Sequence, residues 1–150
     1  MHPYRRFVLM IVTASVLMFC LMYLITYELC HVWFSQTRLF MTFIMAGSMG
    51  LVMLFFMRDM YKDKRTNLAI VVGSIALIGL GLGLVRSQAT VGDVAWMKAM
   101  IPHHSIAILT SERARISDSR VRKLADEIIE AQRREISEMQ FLIEDIQRKP

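Results

Sequence analysis

The chain has 150 residues, 55% of them hydrophobic, and its mean hydropathy is positive at +0.41. This composition excludes an ordinary soluble domain of the same size and makes the lipid bilayer the first expected partner. All of the net charge of +5 comes from residues 1–88, which include eight basic and three acidic residues. The residues after Gln88 include ten basic and ten acidic residues, so their charges cancel. Because a basic excess confined to the apolar part is typical of loops beside membrane spans, we expect no nucleic-acid partner.

Three apolar runs predict three transmembrane helices, at about 7–29, 39–57 and 68–85. Each run approaches or exceeds the roughly 18 residues that cross a hydrocarbon core. The first run follows two arginines, as a secretory signal does, but it is too long for a signal and no cleavage pattern follows it. We therefore predict a membrane domain over residues 1–88 in which the first span stays attached.

The basic residues predict the orientation of these spans, since cytoplasmic loops are enriched in lysine and arginine. One side of the spans carries Arg5, Arg6, Arg58, Lys62, Lys64 and Arg65, and the other carries Arg38 and Arg86. The N-terminus is accordingly predicted in the cytoplasm, and three crossings place the chain after Arg86 outside. This pattern predicts a multi-pass protein of a bacterial inner membrane whose C-terminal domain is periplasmic or otherwise extracytoplasmic.

Two cysteines belong to the predicted first span. On one helix Cys20 and Cys30 would lie roughly 15 Å apart, which is beyond the reach of a disulfide. Cys20 is interpreted as a small apolar residue inside the span. Cys30 stands beside His31 at the outer end, where it can link to another chain, bind a metal, or have no special chemistry.

Residues 89–150 change to a polar, helical pattern, with helices predicted at about 91–115 and 119–147. Asp118 is the predicted N-cap of the second helix, because its carboxylate can accept a hydrogen bond from a free backbone amide in the first turn. Two helices alone cannot enclose a core, so the hairpin either pairs with a second copy in a four-helix bundle or packs on the membrane helices. We expect a homodimer or a higher homo-oligomer. The predicted fold class of the whole chain is all-α.

Polar side chains interrupt the apolar faces of both C-terminal helices. The predicted apolar face of the second helix comprises Val121, Leu124, Ile128, Ala131, Ile136, Met139, Leu142, Ile143 and Ile146. Gln132 and Glu135 fall within this face, where a lone carboxylate is costly unless it is paired or bound to a metal. In the first helix His104 shares a face with Met97 and Met100, at spacings that put the three side chains on successive turns.

Imidazole and thioether groups together suit copper, especially Cu(I), and an added carboxylate would also accept Cu(II) or zinc. The ligands that this pattern predicts are His104, Met97, Met100 and Glu135, with His103 at the edge of the same face. The alternative needs no metal: a hydrogen bond from His104 to Glu135 or Gln132 satisfies both partners, and methionine is a common core residue.

Two runs, M-I-P-H-H at 100–104 and E-I-I-x-x-Q-x-x-E-I-x-x-M at 127–139, resemble the domain of unknown function 305 family. The resemblance covers about 60 residues, from Asp93 to Ile146, and implies a ferritin-like helical bundle. Some members bind copper through histidine and methionine. By resemblance the copper ligands would be Met97, Met100, His103, His104 and Met139. The chain departs from the family at Thr110, where the usual A-I-x-M motif has a methionine.

The second predicted span carries a methionine every four residues, at Met41, Met45, Met49, Met53 and Met57. The third carries Gly79 and Gly83, a spacing that lets helices approach closely. Both features are similar to the eukaryotic-type copper transporters, although those have the opposite orientation. The alternative is that these methionines only pack or face lipid.

Together these patterns predict a membrane-anchored, extracytoplasmic metal-binding protein of the copper type, which stores, buffers or senses the metal. Two alternatives remain open at this point: an oligomerisation or protein-interaction module without metal, and copper transport through the methionine-rich helices. We expect no enzymatic activity, because no serine, cysteine or phosphate-loop motif stands in a supporting context.

Overall fold

The computed structural model describes residues 3–148, which contain five α-helices and no strand. This confirms the predicted all-α class. The helices are α1 (Pro3–Leu21), α2 (Gln36–Phe56), α3 (Lys64–Ser87), α4 (Asp93–Arg113) and α5 (Ser119–Arg148), with a single 3-10 turn at Leu29–His31 between α1 and α2.

The chain divides into two compact units. The membrane unit comprises the chain up to Met22 together with Thr37–Thr90, and the hairpin unit comprises Tyr23–Gln36 together with the chain from Val91 onward. The segment between α1 and α2, here called the 23–36 loop, therefore belongs with α4 and α5. Residues 23–36 were predicted to lie within the membrane domain of residues 1–88.

Within the membrane unit, α1, α2 and α3 are each long and apolar enough to cross a membrane. The predicted end of the first span is wrong, because α1 ends at Leu21 and not at Leu29. Beyond α1 the backbone turns, and its carbonyl groups accept side-chain hydrogen bonds. The Arg38 guanidinium, for example, donates to the Met22 carbonyl at 2.6 Å. Composition alone could not reveal these contacts.

Glycines set the contact between α2 and α3. A Cβ atom at Gly47 would lie 2.6 Å from the Ser74 carbonyl oxygen, and one at Gly81 would lie 2.8 Å from the Phe40 carbonyl oxygen. Only glycine allows backbones to approach this closely. Gly79 and Gly83, the pair singled out by their spacing, lie in open space, so they do not make this contact.

A small hydrophobic cluster of Phe7, Leu54 and Tyr61 lies at the end of the membrane unit where α1 begins. Met53 and Met57 pack against it. These contacts agree with the alternative in which the methionines of the second span serve packing.

The hairpin unit is built on α4 and α5. Asp118 caps α5 as predicted, since its Oδ1 accepts a hydrogen bond from the Arg120 amide at 2.8 Å. The core between the helices consists of Met97, Ile101, Ile108, Ile136, Met139 and Ile143. Tyr27 and Trp33 of the 23–36 loop pack against this core, so the loop supplies a third layer that was not predicted.

The predicted apolar face of α5 is only partly buried. Ile136, Met139 and Ile143 are buried, but Val121, Leu124, Leu142 and Ile146 are exposed. The buried face is rotated toward Ala125 and Ile129, because α4 and the 23–36 loop both pack on that side. An apolar flank therefore remains uncovered within the chain.

Candidate functional site

The structure brings together one imidazole from α4 and one carboxylate from α5. His104 Nδ1 lies 3.1 Å from Glu135 Oε2, and the two side chains are 15% and 43% exposed. The pair is close but not aligned as a hydrogen bond, so the buried Nδ1 atom has no hydrogen-bond partner among the described residues. Gln132 Nε2 donates to the same carboxylate oxygen at 3.4 Å.

Electrostatics at this pair favour a neutral imidazole. Burial lowers the pKa of His104, the Glu135 carboxylate opposes this effect, and neighbouring His103 adds to it. The His103 ring is exposed, and its centroid lies 6.0 Å from that of His104. A neutral imidazole keeps a lone pair that can bind a metal ion.

The three predicted methionine ligands belong to the hydrophobic core. Met97 and Met139 are buried there, and Met100 packs against it. The helices that carry His104 and Glu135 therefore also carry methionine sulfur atoms in the core. These methionines pack among isoleucines, which is a structural role that needs no metal.

The residue that attaches the 23–36 loop to α4 was not among the predicted site residues. Ser105 is fully buried, and its Oγ accepts a hydrogen bond from the Tyr27 amide at 2.7 Å. The same Oγ lies 3.0 Å from His31 Nδ1. A serine on the core side of an apolar helix indicates a buried hydroxyl that needs a hydrogen-bond partner. The sequence around Ser105 does not identify these partners, because they lie more than 70 residues away.

The 23–36 loop also gathers three metal-ligating side chains. Ligand atoms of Glu28, Cys30 and His31 all lie within 4.8 Å of one another. Cys30 Sγ donates to Glu28 Oε2 at 3.3 Å, and His31 Nε2 lies 4.0 Å from the same oxygen. The hydrogen bond to Glu28 raises the pKa of the Cys30 thiol. Cys30 beside His31 was considered as a metal ligand from the sequence, whereas Glu28 was not.

Further contacts hold the loop against the hairpin. The Arg133 guanidinium lies 5.9 Å from the Tyr27 ring centroid and is paired with Glu112 at 2.6 Å. Lys98 Nζ lies 5.5 Å from the Trp33 ring centroid. Each is a cation–π contact of the kind that stabilises partly buried aromatic groups.

Similarity to known proteins identifies the family of this chain. The family described as "Domain of unknown function (DUF305)" matches residues 84–150. The uncharacterized protein L153 of Acanthamoeba polyphaga mimivirus is 32% identical over 108 residues, which are 71% of this chain and 69% of that protein. This chain belongs to the DUF305 family. No solved structure is significantly similar to it.

The DUF305 match covers α4 and α5 but not the 23–36 loop. The similarity to the mimivirus protein is longer: a continuous stretch of 71% of the chain has to include all of α3. The relationship therefore extends beyond the DUF305 domain into the membrane unit. Because this relative is viral, it lends no support to the predicted bacterial membrane.

Proposed function

We propose that the DUF305 domain of this chain binds copper or a similar soft cation at His104 and Glu135, on the extracytoplasmic side of the membrane. Binding serves storage, buffering or sensing, without catalysis. The observation that carries this proposal is the distance of 3.1 Å between His104 Nδ1 and Glu135 Oε2 without an aligned hydrogen bond. Two such ligands on one tetrahedral ion lie about 3.3 Å apart, given metal–ligand bonds of about 2.0–2.2 Å.

Three further features support copper as the metal. The lowered pKa of His104 keeps its imidazole neutral, as a ligand has to be. Met100 precedes His104 by one helical turn and offers a thioether, which suits Cu(I). His103 adds a second imidazole at the surface. The extracytoplasmic location rests on the basic residues that flank the apolar helices.

A metal titration of the full-length chain in detergent tests the proposal. Cu(I), Cu(II) and Zn(II) are titrated against a competing chelator, with the double variant His103→Ala, His104→Ala and the single variant Glu135→Gln. Glu138→Gln is the matched control, since Glu138 is an exposed carboxylate on the same helix. We expect the first two variants to lose one equivalent of copper and the control to retain it. Equal binding by the double variant and the wild type would refute the site.

The uncovered flank of α5 favours a second role, homo-oligomerisation. Leu124, Leu142 and Ile146 are 56%, 38% and 41% exposed, and Trp96 of α4 is 50% exposed. A second copy would remove this apolar surface from water. We expect Leu124→Glu to shift the chain toward monomer in sedimentation experiments in detergent, and an unchanged oligomeric state would refute this role. If Glu135→Leu preserves or raises association and stability, Glu135 has only a structural role.

A further inference from the structure

We propose that Glu28, Cys30 and His31 form a separate site for Zn(II) or a similar borderline divalent cation. The site lies in the 23–36 loop, outside residues 84–150, and does not depend on the proposed function of His104 and Glu135. Thiolate, imidazole and carboxylate are the three side-chain ligands that zinc uses in proteins. The cysteine distinguishes this set from the proposed copper site, where His104 and Glu135 are accompanied by methionine thioethers and by no thiol.

The distances among the three donor atoms fit one ion. The Sγ–Oε2 and Nε2–Oε2 separations are 3.3 and 4.0 Å, and all three atoms lie within 4.8 Å. In a tetrahedral zinc site, sulfur and nitrogen ligands are about 3.5 Å apart, given bonds of about 2.3 and 2.0 Å. Because the Glu28 and Cys30 side chains are exposed, a shift of about 1 Å that closes the set needs no rearrangement of the core.

The His31 ring is held in the orientation that a ligand needs. It is only 8% exposed, and its Nδ1 contacts the buried Ser105 hydroxyl at 3.0 Å. Its Nε2 therefore faces Glu28. Metal-binding histidines almost always have the second ring nitrogen held by such a partner, which fixes the tautomer and the ring plane.

The backbone that carries Cys30 is also anchored. Trp33 Nε1 donates to the Cys30 carbonyl at 3.0 Å, while the Trp33 ring packs against the hairpin core. On the other side of the cluster, the Tyr27 amide donates to Ser105. These contacts position the donors before any ion arrives, which reduces the entropy lost on binding.

The site has room for a fourth ligand. A cavity of about 400 Å³ adjoins the three side chains and is also lined by Arg133, Ser137 and Gln140. A water molecule or a small anion can occupy it. Three protein ligands and one exchangeable position are typical of zinc sites that bind a further group.

Cobalt(II) binding to the reduced, full-length chain in detergent tests this site. Thiolate ligation produces a near-ultraviolet charge-transfer band, and zinc displaces the cobalt. We expect the band in the wild type, its loss in Cys30→Ser, and a drop in zinc affinity of roughly tenfold or more in Glu28→Gln. Cys20→Ser is the matched control, because Cys20 is the other exposed cysteine and should leave the band unchanged.

The same assay separates the two proposed sites. The double variant His103→Ala, His104→Ala should keep the band, whatever the outcome for copper at His104. Absence of the band in the wild type, or its persistence in Cys30→Ser, overturns the proposal for the loop. Cobalt binding without a thiolate band also overturns it, because the metal would then be bound elsewhere.

Discussion

Replacing Ser105 with alanine removes the hydroxyl that attaches the 23–36 loop to α4. The side chain is fully buried, so water cannot take its place without opening the packing. The change leaves the Tyr27 amide and His31 Nδ1 without their partner. A buried polar group without a hydrogen bond costs about 1–3 kcal/mol, and we expect a total of about 2–4 kcal/mol because the loop relaxes partly toward solvent.

Thermal unfolding in detergent, monitored by tryptophan fluorescence, measures this loss of stability. Both tryptophans, Trp33 and Trp96, lie in the hairpin unit and report on it. We expect the midpoint to fall by several degrees. Thr110→Ala is the matched control, since the Thr110 hydroxyl is exposed and bonds only carbonyls of its own helix, so its change should stay within about 0.5 kcal/mol. Equal midpoints for the two variants would refute the attachment.

Ile101→Ala should destabilise the hairpin unit by about 2–5 kcal/mol in the same unfolding assay, because Ile101 is fully buried, while Leu142→Ala should cost much less. Equal losses would contradict the assigned core. Hydrogen bonds to Arg120 lower the pKa of Asp118, so its charge stabilises the fold above about pH 4 and this contribution is lost as the pH falls through the lowered pKa. Asp118→Asn keeps an oxygen that can cap the helix but removes the charge, so it should lower the unfolding midpoint at neutral pH and not in strong acid. If the variant still unfolds at a lower temperature than the wild type in strong acid, the charge of Asp118 is not the cause. Gly81→Ala should destabilise the membrane unit by about 1–3 kcal/mol, because its Cβ would meet backbone, whereas Gly83→Ala should not, and the test is heat resistance in detergent.

Hydropathy and periodicity were sufficient to predict the all-α class and the approximate place of the five helices, because each helix has one dominant pattern. The end of α1 was predicted wrongly for a physical reason. Leu24 and Ile25 continue the apolar run beyond Leu21, but Tyr27, which follows them, is partly buried and packs against the hairpin core. Hydropathy measures the cost of exposure to water and does not identify what covers a side chain.

At the candidate site, the proximity of His104 and Glu135 could be expected from the sequence. Each stands on the apolar face of one helix, and the short link between the helices makes them neighbours. The contacts of Ser105 with Tyr27 and His31 could not be expected, since they join residues 78 and 74 positions apart. The exposed flank of α5 was missed for the same reason, because the loop that redirects the buried face comes from a distant segment.

The 23–36 loop has a consequence for biosynthesis. Tyr27 and Trp33 leave the ribosome well before α4 exists, and two long apolar helices are made in between. Their packing partners become available only when synthesis is nearly complete, so these contacts form late. The final assembly of the hairpin unit must therefore wait for α2 and α3, and a change that delays the insertion of either helix should also delay the maturation of a domain that contains neither.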